Sequence, residues 1–209
     1  MADKHLVNNS ETIVNGINQR KLVSKIIATK ENVAFVVRVL AFFATLSATL
    51  VMALSKEEKS VVLATIGTTP IRANVTAKFQ HTPAFVFFVI ANAIVSLHNL
   101  LVIAVHVMMK TFNFQRVSFL MIAVLDMVNV GLISGGATAA AFMGQLGRKG
   151  NSHANWNKIC DKVGTFCDHS GAAILASLIA LALMTLLTAN SIANVRKDKP
   201  LRNNVVVAP

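Results

Sequence analysis

Apolar residues are gathered into four blocks, 33–54, 84–109, 117–143 and 171–193, separated by polar stretches. Each block reaches the roughly 20 residues a helix needs to cross a bilayer. The expected fold class is therefore an all-α integral membrane protein, a four-transmembrane-helix bundle. The rest divides into an N-terminal tail (1–32), two long connections (55–83 and 144–170), a short turn (110–116) and a C-terminal tail (194–209). A seven-residue turn makes the second and third spans antiparallel neighbours. In the first long connection, VVLATI is a short β-branched run bounded by Gly67 and Pro70, the mark of a strand, and a small hairpin fits there.

Polar residues within the blocks are few and patterned. Asn92, Ser96, Asn99 and His106 form one helical stripe, expected on the bundle-facing side of the second span. His98 lies off that stripe and reads as an interhelical hydrogen bond or a snorkelled ring. Asp126 and Asn129 share a face of the third span. Gly131, Gly135 and Ala139 follow as a small-xxx-small run, suited to close helix packing within the bundle or between protomers. Ala172, Ala176 and Ala180 repeat the theme in the fourth span.

Arg38 and Asp126 are the only formal charges inside the blocks. A charge at such depth costs at least ~2.5–3.5 kcal/mol and usually faces a partner. With the first and third spans parallel, Arg38 lies ~8 Å and Asp126 ~14 Å into the apolar layer at about 1.5 Å per residue, a difference a long Arg side chain can bridge. Two readings follow: an ion pair that fixes which helix faces which, or part of a proton or ion relay. One acid in four spans is thin for a pump.

Composition supports the membrane assignment. Of 209 residues, 54% are hydrophobic and only 14% charged, against roughly 25% charged in soluble domains. The net charge of +11 raises nucleic acid as a partner. The basic residues flank the apolar blocks instead of forming one patch with aromatics, which argues against nucleic acid and for membrane lipid. Eleven basic residues fall in the tails and short turn and eight in the two long connections. The bias places both termini in the cytoplasm. No cleavable signal peptide precedes the first span, which is expected to act as an uncleaved signal anchor.

In that orientation both cysteines, Cys160 and Cys167, fall in an outside loop, where disulfides persist. His153 and His169 lie nearby, but a metal site would need more soft ligands at tighter spacing, so a local disulfide fits better and no metal or cofactor is expected. Asn74-Val75-Thr76 is a glycosylation sequon in the other outside loop. No HExxH, GxSxG or paired carboxylates at catalytic spacing occur, so an enzyme is not indicated.

Four spans, an Arg in the first (ValArgValLeuAlaPhe, 37–42) and an Asp in the third resemble the plant CASP-like proteins, relatives of the Casparian strip membrane domain proteins and of the MARVEL group. GlyGlnLeuGlyArgLysGlyAsn (144–151), followed by Trp156, Cys160 and Cys167, is similar to the corresponding extracellular loop of that family's first subgroup. The resemblance implies a non-enzymatic, multi-pass plasma-membrane scaffold. Its partners would be itself, related family members and cell-wall-modifying enzymes. The first-loop signature of the Casparian strip proteins is not found in 55–83, so a role in that structure is not implied. The competing function is a small channel or transporter using Arg38, Asp126 and the polar stripe.

Overall fold

A computed structural model describes residues 25, 29, 31–66, 69–112 and 119–205. Expectations for most of the tail 1–32, for most of the turn 110–116 and for 206–209 lie outside these residues. The chain divides into two compact units, Met1–Val37 and Arg38–Pro209. Of the first, the described part is helical, with the Thr29 hydroxyl donating to the Lys25 carbonyl at 2.9 Å.

The elements in order are α1 (Glu31–Leu54), β1 (Lys56–Ile66), β2 (Thr69–Lys78), α2 (Pro83–Phe112), α3 (Phe119–Lys149) and α4 (Gly164–Val205). All four helices are long and apolar enough to cross a membrane. They overrun the apolar blocks because helix, once nucleated, continues through polar residues until a stop signal. α3 runs on to Lys149 and stops at Gly150, whose φ of +68° is left-handed and whose N–H bonds back to the Leu146 carbonyl at 2.8 Å. A Cβ at Gly150 would lie 2.6 Å from the Trp156 carbonyl oxygen, so only glycine fits. The connection between α3 and α4 is thus much shorter than the 144–170 polar stretch. α2 begins on Pro83, whose missing N–H costs nothing in a first turn.

β1 and β2 form an antiparallel hairpin, paired from Lys56 opposite Lys78 to Ile66 opposite Thr69, with a register shift between Val62 and Ala64. A two-stranded hairpin is marginal alone. This one is tied down at its base: the Glu57 carboxylate accepts the Phe166 N–H at 2.8 Å, in the first turn of α4. Lys59 pairs with the same carboxylate at 2.8 Å. The Lys59 contact first, then the Phe166 N–H, hold the Glu57 carboxyl below its ordinary pKa.

Each helix buries one stripe. On α1 it is Arg38, Ala41, Thr45, Ala48 and Met52; on α4 it is Ala173, Ser177, Ala180 and Met184. Of the three alanines expected on the fourth-span face, Ala180 is buried and Ala176 is half-buried against the core, while Ala172 is exposed. The opposite faces carry large apolar side chains in the open, among them Phe43, Leu97, Met127 and Leu186. An exterior this apolar is stable only against lipid. An apolar core fills the hairpin half of the bundle: Met52, Phe85, Phe88, Val163 and Phe166 among small alanines, with Phe85 and Phe166 edge-to-face at 5.9 Å.

The close-packing expectation for α3 needs correction within the chain. Gly131 has nothing within 4 Å of where a Cβ would sit, and Gly135 would meet only the Phe87 ring at an ordinary distance of 3.6 Å. The tight approach belongs to Gly136, where a Cβ would lie 3.1 Å from the Ala91 Cβ and 3.4 Å from the Phe88 Cα. Asp126 sets the phase. At 3.6 residues per turn, positions five and nine residues beyond it lie roughly 140–180° around the helix. With Asp126 inward, Gly131 and Gly135 face outward and Ala139 is half-buried.

Candidate functional site: a buried ion cluster

A helix interior offers a carboxylate no backbone donors, because its N–H groups are already spent on the helix. Asp126, with no accessible surface, must find donors on other helices. α1 supplies Arg38, whose guanidinium meets the carboxylate with two parallel bonds, Nη1 to Oδ1 at 3.0 Å and Nη2 to Oδ2 at 2.6 Å. This fork geometry is the strongest way to hold a carboxylate. α2 supplies His98, with Nε2 donating to Oδ1 at 2.8 Å. Arg38 also donates from Nη1 to the Asn99 Oδ1 at 3.2 Å. One carboxylate thus joins three helices. Arg38 is 8% exposed and Asn99 fully buried, so these bonds form in a low-dielectric setting where leaving one unmade is costly.

A second polar contact ties in the fourth helix. The Ser177 hydroxyl on α4 donates to Asn92 Oδ1 on α2 at 2.9 Å, and the Asn92 amide donates to the Phe88 carbonyl at 2.9 Å. The α2 stripe is bundle-facing through Asn92, Ser96 and Asn99, all buried, whereas His106 is only half-buried. Thr45 and Thr188, also buried, satisfy their hydroxyls on their own helix carbonyls.

His98 is the member that stripe counting misses. It lies off the α2 stripe because it reaches sideways to α3. The antiparallel register contains the signal: His98 and Phe88 are as far apart on α2 as their partners Asp126 and Gly136 are on α3.

The remaining site residues lie at the hairpin end or on the outer surface. Cys160 and Cys167 are joined in a disulfide that staples the connection to the first turn of α4. Trp156 is 56% exposed on a tight loop in which it and Asn151 exchange two backbone bonds at 2.9 Å. Asn74 is exposed on β2 opposite Ser60. Gly131, Gly135 and Ala139 do not approach the ion cluster. Among the described residues no group of three or more His, Cys, Asp or Glu side chains could hold a metal ion.

Four apolar helices, three of them joined by a buried Arg-Asp-His cluster and the fourth tied to α2 through Ser177 and Asn92, define a multi-pass membrane protein with an internal ion pair. The Casparian strip membrane protein domain matches residues 28–183, most of the chain, and the chain belongs to that family. It is 52% identical over 181 residues to CASP-like protein 1B2 of Populus trichocarpa, covering 87% of this chain and 90% of the relative. CASP-like protein 1B1 of the same species is 57% identical over 163 residues, 78% and 84% of the two chains. CASP-like protein 1B2 of Arabidopsis thaliana is 54% identical over 156 residues, 75% and 79%. No solved structure matches.

Proposed function

We propose that the protein is a non-enzymatic scaffold of the plasma membrane, with both termini cytoplasmic and the hairpin and disulfide-bonded connection outside. It organises a membrane domain by associating with itself and with related family members, and presents its outside face to cell-wall-modifying partners. Arg38 and Asp126 act as a pin that fixes helix order, not as a relay. The observation that carries this reading is that the fully buried Asp126 carboxylate takes two donors from Arg38 and one from His98. A relay acid must exchange its proton along a path, and this one has no accessible surface and is gripped on both oxygens by one guanidinium. Outward-facing Gly131 and Gly135, continued by half-buried Ala139, supply a face on which another helix can approach closely. Glycosylation at Asn74 accords with the same orientation.

The test is crosslinking of the full-length protein in native membranes. Oligomers are expected, and Gly131→Leu with Gly135→Leu should weaken them while leaving the monomer folded. Unchanged oligomers would remove that face from the account. Flux of ions or small solutes through reconstituted protein would overturn the pin reading in favour of a channel.

A further inference from the structure

A groove of about 480 Å³ opens where α3 leaves its membrane span, which ends at Lys149. One wall is a single helical stripe. Phe142, 68% exposed, comes first; Gln145 and Leu146 follow one turn on, and Lys149 a turn further. Residues at these spacings share a face, so the wall passes from apolar through amide to cation in the direction out of the bilayer. The left-handed Gly150 then turns the chain back, and Asn151 and Ser152 close the other side.

We propose that this groove binds the phosphate headgroup of an anionic glycerolipid, with an acyl chain lying along Phe142 and Leu146. The cation is available: neighbouring Arg148 is paired with Asp168 at 3.2 Å, while Lys149 has no ion pair among the described residues. No carboxylate lines the groove. The carbonyl end of a helix normally repels an anion. Here two of the last four carbonyls are taken up: that of Leu146 by the Gly150 N–H and that of Gly147 by those of Ile159 and Cys160. Asn151 is held rigid by accepting the N–H groups of His153 and Ala154 on its Oδ1, which leaves its amide NH2 and the Ser152 hydroxyl as donors at the rim. The apolar end of the groove lies toward the body of α3 and its polar end toward the connection to α4. The proposal needs only that the chain spans a membrane and stands apart from the scaffold reading.

The experiment is native mass spectrometry of the delipidated full-length protein in detergent, titrated with phosphatidylglycerol or phosphatidylcholine. One phosphatidylglycerol should be retained in preference to phosphatidylcholine. Lys149→Ala should weaken it about fivefold, the order expected for one basic residue against anionic lipid. Lys158→Ala, in the same connection but outside the groove, should leave it unchanged. Retained disulfide and melting temperature establish that the variants are folded. Equal retention of the two lipids, no effect of Lys149→Ala, or an equal effect of Lys158→Ala would each overturn the site, the last by showing diffuse charge attraction.

Discussion

The two halves of this bundle are held by different chemistry. Toward the hairpin, the helices meet through alanines, Gly136 and a few large apolar side chains, backed by a disulfide and by the Glu57 tie to α4. Away from it, they meet through Arg38, Asp126, His98 and Asn99. The difference follows from the solvent. Lipid is as apolar as leucine, so apolar contact within it is won by fit alone and many registers fit nearly as well. A buried charge admits one arrangement, the one that supplies its partner. On the proposed reading the polar half selects the helix order, and the hairpin half adds covalent and packing stability to the order selected.

This contrast can be broken from either side. The largest effect is expected at Asp126→Ala, which strands the Arg38 guanidinium among three helices. Removing one partner of a buried pair costs ~3–5 kcal/mol, enough to abolish accumulation of folded protein, read by detergent solubility and thermal melting. Next is Cys160→Ser. Its loss opens the short loop to Cys167 and should lower stability by ~2–3 kcal/mol in the chain-entropy model. Its melting temperature should fall without disturbing helix order. Gly136→Val should cost ~1–3 kcal/mol by overpacking against Ala91 and Phe88. Gly131→Val, in open space, should leave the monomer's melting temperature unchanged, so the pair of variants separates packing within the chain from packing between chains.

The smallest effect is at the hairpin base. The Glu57 carboxyl is held below its ordinary pKa, so its tie to α4 is complete above about pH 4.5 and is lost as pH falls through the lowered value. Hydrogen exchange at the Phe166 amide should accelerate over that acidic window. Glu57→Gln should remove the pH dependence.

How much of this was readable from sequence differs between the same two halves. Four spans are legible because hydrocarbon thickness imposes block length. Arg38 and Asp126 stand out because charge in such blocks is expensive, and their depths put them in reach. Gly131, Gly135 and Ala139 suit packing within the bundle or between protomers, and the sequence alone does not choose: a run of small residues has a period but no phase, and the phase comes from Asp126. An interhelical hydrogen bond from His98 is among the readings of the sequence, but its partner Asp126 is not legible there, because a stripe is counted on one helix while the contact depends on the register between two. The Glu57 tie links positions far apart in the chain, and neither residue's type announces it. The helix ends were blurred because Gly150, not the last apolar residue, stops α3.

The central claim is that Arg38 and Asp126 act as a matched pair whose role is to pin the bundle. A double-mutant cycle on thermal stability in bilayers tests it most directly, with Arg38→Leu, Asp126→Leu and the two combined. Each single change should be strongly destabilising, and the double variant should recover most of the loss, because removing both charges leaves no unpaired ion. Losses that simply add, with the double variant worse than either single one, would contradict the account.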